Sequence, residues 1–296
     1  MNAPNVDLHR ARRVAVEAAE AAGDLLRARL TGPLEVRLKD ASGDVVTDLD
    51  LASETLILDR IGAAFPGHRI VSEEAGTVGG ATADATWLVD PLDGTNNVAI
   101  GMPVCAVGLA LCVGQTPVLG VVHEPVTGRT WSATRGEGTL GPDGEALRLP
   151  PAPRPGRADK PVLAWIQGHG VGPDDPVVIP LKLMLEARSA RVIQLWAPLV
   201  GWAMLARGDI DGIVGYRPEL VDLPAGVLIA EEAGAELRRL DGRPYDPSID
   251  LPAAERGLVA ARPDLLDSLL ETAGSAAEAV KINANGANPE AVRIAW

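Results

Sequence analysis

At 296 residues, with 47% hydrophobic and 23% charged side chains, the chain has a globular composition and enough length for one large core or two fused halves. A formal net charge of −13 excludes nucleic acid and anionic membrane as general partners, because polyanions are repelled overall. Two cysteines make no disulfide framework, and there is neither an apolar signal core nor an uninterrupted apolar run of bilayer length, so a cytoplasmic setting is expected.

Apolar residues at helical spacing predict a helix over His9–Leu30, stopped by Gly32-Pro33. A second helix is expected over Leu51–Ala64, ending at Phe65-Pro66-Gly67. Ile70–Ser72 and Trp87–Val89 read as strands that run into acidic residues. Val104–Val113 and Val118–His123 read as strands separated by Gly114-Gln115-Thr116-Pro117, and Thr130–Thr134 adds another. Cys105 and Cys112 sit in apolar sequence and read as buried small hydrophobes.

Leu149–Pro161 is dense in proline and predicts a stiff, extended junction between halves 1–150 and 151–296. Beyond it, strands are expected at Val162–Ile166, Val192–Gln194, Asp211–Gly215 and Leu258–Ala260. Helices are expected at Leu181–Ala187, Pro198–Arg207, Ala225–Ala233 with Gly234 as C-cap, and Pro263–Thr272. The Ala/Asn-rich stretch from Ser275 to Trp296 reads as a frayed extension.

The most informative stretch is Asp90-Pro91-Leu92-Asp93-Gly94-Thr95-Asn96-Asn97. Pro91 cannot donate to a sheet ladder, so the strand is expected to end there. Gly94-Thr95 reads as a turn into a helix, with Thr95 able to cap it. Asp90 and Asp93 then stand at a sheet lip beside a helix start, which suits a hard divalent cation together with a phosphate. Asp222 precedes an Ala/Leu helix and can serve as an N-cap, a ligand, or both. The four histidines are scattered, so zinc spacing is absent, as are the hydrolase nucleophile elbow and the P-loop.

Four segments occur in register: Val46-Thr47-Asp48-Leu49-Asp50, Pro66-Gly67-His68 leading to Glu73-Glu74, Asp90 to Thr95, and Asp222-Leu223-Pro224-Ala225-Gly226 leading to Glu231-Glu232-Ala233-Gly234. In this the chain resembles the inositol monophosphatase family of metal-dependent, lithium-sensitive phosphomonoesterases. The resemblance implies the layered αβαβα sandwich of the inositol monophosphatase/fructose-1,6-bisphosphatase type; composition and periodicity alone indicate only mixed α and β. It implies two or three Mg2+ held by Glu73, Asp90, Asp93 and Asp222 with the carbonyl of Leu92. It also implies a catalytic set of Asp50, Thr95 and Glu73, in which Asp50 and Thr95 take a proton from the attacking water. Family spacing favours Asp50 over Asp48 and Glu73 over Glu74. Gly94, Thr95 and Asn96 fall where backbone N–H groups hold phosphate. Lys39 falls in what resembles the family's flexible metal-site loop, or is a solvated surface lysine. A homodimer and a small phosphorylated metabolite as substrate are further implications.

The departures cluster where the alcohol portion of the substrate is expected, at Trp196-Ala197-Pro198, at Gly215 and at Val221 beside Asp222; Trp196, Ala197, Gly215 and Asp222 are the expected substrate contacts there. Where the family has Gly-Ser or Gly-Thr before a helix, this chain has Trp196-Ala197-Pro198. The glutamate that contacts the ring in inositol-specific members falls at about Gly215, and the tryptophan before the last metal aspartate is Val221. The chemistry is thus intact while the specificity wall is rebuilt, and a tryptophan there favours a flat ring over a fan of hydroxyls. The expected substrate is a small polyol, sugar, amino-alcohol or nucleoside phosphate. The alternatives are inositol monophosphatase proper, fructose-1,6-bisphosphatase, histidinol-phosphatase, 3′-phosphoadenosine 5′-phosphate phosphatase, or a silent phosphate-binding regulator.

Overall fold

In the computed structural model, which describes residues 6–39, 43–80, 84–152, 160–172 and 174–286, the alternation of side chains along each strand sorts apolar residues onto two faces. The first half comprises α1 (Leu8–Arg29), the ribbon β1 (Val36–Leu38) and β2 (Val45–Thr47), α2 (Asp48–Ala64), β3 (Arg69–Ser72), β4 (Gly76–Gly79), β5 (Ala85–Asp93) and α3 (Thr95–Ala99). It continues with β6 (Ala106–Val113), β7 (Thr116–Glu124), β8 (Arg129–Thr134), β9 (Gly138–Leu140) and β10 (Ala146–Leu147). The second half comprises β11 (Val162–Gln167), α4 (Val178–Arg188), β12 (Arg191–Ile193), α5 (Pro198–Ala206), β13 (Gly212–Tyr216), α6 (Pro224–Ala233), β14 (Glu236–Arg239), β15 (Leu258–Ala261) and α7 (Pro263–Gly286).

Eight strands form one sheet in the order β10-β9-β8-β7-β6-β5-β3-β4, antiparallel except where β3 runs parallel to β5. Five strands form a second sheet in the order β12-β11-β13-β15-β14, with β11 parallel to both its neighbours. On β6, Val107, Leu109 and Leu111 pack with Ala11, Ala15 and Ala18 of α1 and Ile57 and Ile61 of α2. Its other face, Ala106, Ala110 and Cys112, joins Leu199 and Trp202 of α5 and Leu228 and Ile229 of α6. That middle core also takes Ala164, Ile166, Ile213 and Leu258 from the second sheet. The opposite face of that sheet, Leu163, Trp165, Val214 and Val259, covers Leu181 and Leu185 of α4 and Leu266 and Leu269 of α7. Five layers result: helices, sheet, helices, sheet, helices. This is the αβαβα sandwich.

Small residues set the spacing. The buried face of α1 is a run of alanines, which seats the helix close to the sheet. At Gly120 on β7, a Cβ would lie 2.7 Å from the carbonyl oxygen of Ala225, so only glycine admits α6 at that distance.

The structure corrects several boundaries. The strand expected to stop at Pro91 continues to Asp93, because a register shift between Asp90 and Asp93 lets the proline sit in an irregular segment. Helix α2 begins at Asp48 rather than Leu51, capped by Thr47. The β1–β2 ribbon and β14 lie in segments where no strand was expected. Strand β7 begins at Thr116, taking in Thr116-Pro117 from the expected turn. Helix α7 continues past Thr272 to Gly286, replacing the frayed start expected at Ser275; residues 287–296 of that stretch lie outside the described residues. Residues 153–159 of the proline-dense junction also lie outside them. No helix among the described residues is long and apolar enough to cross a membrane.

Cys105 and Cys112 are free and buried, and burial pushes both thiols up to about 12. A thiol reacts as its thiolate, so both are shielded chemically as well as sterically. In a free-thiol titration at pH 8, the native protein is expected to stay unmodified, and both cysteines to react once denaturant is added.

Candidate active site

Three elements deliver the site. The register shift at the end of β5 falls between Asp90 and Asp93, which still pair with Gly108 and Ala106 of β6, and Asp222 arrives from the loop before α6. One carboxylate oxygen from each of Asp90, Asp93 and Asp222 lies within 4.8 Å of the others. All three are buried, at 3%, 4% and 9% exposure. Among the described residues, none has a lysine, arginine or histidine at ion-pair distance, although Lys39 reaches Glu73 beside them. Burial raises each carboxyl well above the usual range, and neighbouring charge adds to it: Glu73, Asp93 and Asp222 at Asp90, Asp222 at Asp93, Glu73 and Glu219 at Asp222. Crowded, dehydrated oxygen donors without a balancing charge fit a hard divalent cation.

Asp222 is not the N-cap of α6; that position is Leu223, followed by Pro224. Asp93 Oδ2 accepts the backbone N–H of Leu199 at 2.7 Å, so it also ties the start of α5 to the first sheet. Asp90 Oδ1 accepts from Leu92 N at 3.2 Å.

Asp50 reaches the same place from α2. It completes the capping box with Thr47, accepting from Thr47 N at 2.8 Å and Thr47 Oγ1 at 2.6 Å. Its other oxygen lies 2.6 Å from Thr95 Oγ1, which is also 2.8 Å from the carbonyl of Leu92. Thr95 is therefore not a helix cap. The N-cap of α3 is Gly94 at φ 93°, and the Thr95 hydroxyl turns inward. A Cβ at Gly94 would sit 2.7 Å from the carbonyl oxygen of Val104, so that corner demands glycine. Asp48 instead pairs with Arg29 and accepts from Glu35 N, away from Thr95. Burial raises the Asp50 carboxyl, opposed by the hydrogen bonds from Thr47 and Thr95.

Glu73 and Glu74 are both held by Lys39, whose ammonium lies 2.6 Å from Glu73 Oε1 and in contact with Glu74 Oε1. Burial works against that ammonium, but the charges of Glu73 and Glu74 outweigh it and raise its pKa. Lys39 is thus part of the site rather than a solvated lysine. Of the two glutamates, Glu73 lines the cavity with the aspartates.

That cavity is about 390 Å3 and is walled by both halves. Glu73, Asp90, Leu92, Asp93, Gly94, Thr95, Asn96 and Asp222 form one end; Trp165, Gln167, His169, Gln194, Trp196 and Ala197 belong to the other. Gly215 is not in the wall: it is buried in β13 against Leu258 and Pro218, and register alone had suggested it.

Some functional residues went unread in the sequence. Asp44 accepts from Asn96 Nδ2 at 3.1 Å and stands 3.7 Å from His169 Nδ1, linking the two halves at the cavity. Glu54 is buried, and its Oε1 accepts from Ser72 Oγ, from Glu74 N at 3.1 Å and from Ala75 N at 2.9 Å. It thereby fixes the turn that presents Glu73. Its spacing of four residues from Asp50 on α2, which puts both carboxylates on one helix face, was the available signal.

With this geometry in hand, the sequence profile of the inositol monophosphatase family matches residues 7–278. The chain belongs to that family. It is 33% identical over 272 residues to the chloroplastic phosphatase IMPL1 of Arabidopsis thaliana, covering 89% of this chain and 70% of that one. Among solved structures, the suhB protein of Bartonella henselae superposes with a TM-score of 0.77 at 25% identity, covering 88% of this chain and 97% of that one. An IMPase/NADP phosphatase complexed with Mg2+ and phosphate shares the fold, with a TM-score of 0.68 at 19% identity over 84% of this chain and 89% of that one. The chain is a phosphoric monoester hydrolase of a metal-dependent family.

Two outcomes follow from the crowding. Asp90→Asn removes one repelling charge and is expected to raise the thermal midpoint of the metal-free protein by a few degrees, while abolishing the stabilisation that Mg2+ gives the parent. Scanning calorimetry with and without Mg2+ reads both. Glu54→Ala is expected to weaken Mg2+ binding by about ten- to a hundredfold, the range found for groups that orient ligands. Glu54→Gln keeps a carbonyl acceptor for the N–H groups and is expected to lose less in isothermal titration.

Proposed function

We propose that this chain is a Mg2+-dependent phosphomonoesterase for a small phosphorylated metabolite. The observation that carries the reading is the contact of Thr95 with Asp50 directly beside the Asp90, Asp93 and Asp222 cluster. Mg2+, when bound, supplies Lewis-acid chemistry: it makes water a better nucleophile and neutralises phosphoryl charge. Asp90, Asp93 and Asp222 would hold it, with Glu73 and the carbonyl of Leu92, in two or three ions per site.

The remaining steps belong to the chain. Thr95 gives its hydroxyl proton to Asp50, which leaves the threonine oxygen as an acceptor facing the attacking water. The proton leaving that water passes to Thr95 as the threonine's own proton passes to Asp50. Burial equips Asp50 for this, since a carboxylate raised above its ordinary range is a stronger base. The backbone N–H groups of Gly94, Thr95 and Asn96 orient the phosphate for in-line attack. Asn97 keeps that corner rigid by donating from Nδ2 to the carbonyls of Val104 and Leu195, at 2.8 and 2.6 Å.

Among substrates, a polyol, sugar, amino-alcohol or nucleoside phosphate fits a cavity of about 390 Å3. Inositol 1-phosphate is the second reading, favoured by the family and disfavoured by Trp196 in the wall, where a flat apolar ring offers little to a fan of hydroxyls. A silent regulator is disfavoured because every catalytic role has its residue. Two buried free cysteines suit a reducing, cytoplasmic setting.

Phosphate release from a generic ester is expected to require Mg2+ and to stop with chelator; full activity after exhaustive metal removal rules the reading out. Thr95→Ala is expected to lower kcat by about 10²–10⁴-fold, the usual worth of a positioned proton transfer. Mg2+ affinity by calorimetry is expected to stay near that of the parent. Parent-like turnover in this variant assigns water activation to another group.

A further inference from the structure

Trp196 stands at the mouth of the cavity in a conformation that its side chain opposes. Its φ is 53°, in the left-handed region, and among the described non-glycine residues only Arg217 shares that sign. A bulky residue held there is strained by about 1–3 kcal/mol, which persists only where surroundings over-determine it. Here they do. Leu195 is fixed through its carbonyl by Asn97, and Leu199 through its N–H by Asp93. Between them, Ala197 packs against Gly94 and Pro198 starts α5. The residues that bracket the tryptophan are thus anchored by the same segment that carries the phosphate cradle.

This strain does not serve packing. Trp196 is 55% exposed, although it lines the cavity that holds Asp93, Thr95 and Asp222. Across the chamber the polar groups are partly committed. Gln167 Oε1 accepts from Trp165 Nε1 at 3.1 Å, and Gln194 Oε1 accepts from Lys182 Nζ at 2.7 Å. His169, a second exposed ring, also lines the wall. A flat apolar face at a fixed place, with few open acceptors, suits a planar ring better than a puckered one bearing hydroxyls.

We propose that Trp196 is the specificity-determining residue of this site, and that it selects phosphate monoesters whose alcohol carries a flat unsaturated ring. The proposal rests on the phosphatase reading for the position of the phosphate. Benzyl phosphate and cyclohexylmethyl phosphate isolate the effect, since they match in size and differ in ring flatness. The expected kcat/KM ratio in the parent is on the order of three- to tenfold in favour of the benzyl ester, the worth of one stacked pair. It is expected to fall toward unity in Trp196→Gly and in Trp196→Leu, and to persist in Trp196→Phe. Because glycine relieves the strained φ, the thermal midpoint of Trp196→Gly is expected to hold or rise, which separates lost recognition from lost folding.

Calorimetric titration with the non-hydrolysable benzyl- and cyclohexylmethylphosphonates in Mg2+ reads the same preference without turnover. A benzyl preference in binding with no hydrolysis of either ester overturns the phosphatase reading and leaves the stacking role standing. Equal parent kcat/KM values and equal binding, or a preference that survives in Trp196→Gly and Trp196→Leu, overturn the stacking role.

Discussion

Three buried carboxylates that repel one another when charged are the constraint on which the structure turns. At their separation of up to 4.8 Å, each ionised pair repels by about 3–4 kcal/mol at an effective dielectric constant near 20. Together the three pairs rival the roughly 5–15 kcal/mol that holds an ordinary domain folded. Burial and mutual repulsion therefore favour protonation or a bound cation over a free trianion. The fold tolerates this because each aspartate has a second hold on the backbone. Asp90 and Asp93 accept from Leu92 and Leu199, and Asp222 accepts from the backbone at Glu219. The cluster is a concentration of charge between two apolar cores, supported by the sheet and helices around it.

The same bonds join the two sheets. Asp93 to Leu199 and Asn97 to Leu195 cross from the first half to the second, beside the middle core that both sheets share. A shift of the halves that parts these contacts also moves Asp222 from Asp90 and Asp93. The carboxylate cluster and the packing between the halves thus form one mechanical unit.

Much of this was legible because the proposed catalytic groups lie in short continuous runs. Asp90 to Asn97 needs only one strand end and one turn to gather its residues, so the motif and the site nearly coincide. Legibility failed where geometry departs from the simple rule for a residue type. Pro91 signals a strand end, yet a register shift lets β5 run on to Asp93, and Ser53 Oγ secures the Pro91 carbonyl at 2.7 Å. Thr95 reads as a cap, but the helix it opens has five residues and its hydroxyl is engaged by Asp50. Glu54 was invisible as a positioning group because its partners, Ser72 and the N–H groups of Glu74 and Ala75, come from a turn about 20 residues away. Gly215 erred in the opposite direction: alignment of motifs places a residue along a chain, not around a cavity.

The two ends of the cavity therefore obey different rules. At the proposed phosphate end the residues are dictated by charge, and on that reading a change of one atom in Asp93 or Thr95 alters the chemistry itself. At the other end, Gln167, His169, Gln194 and Trp196 come from loops and strand ends of the second half, where substitutions cost the fold little. A strained tryptophan in such a place is informative because nothing structural asks for it. Glycine would relax the backbone, and among the described residues no aromatic or cation-π partner claims the indole. When the cheapest residue is absent from a position anchored on both sides by Asn97 and Asp93, the proposed stacking role supplies the demand that packing does not.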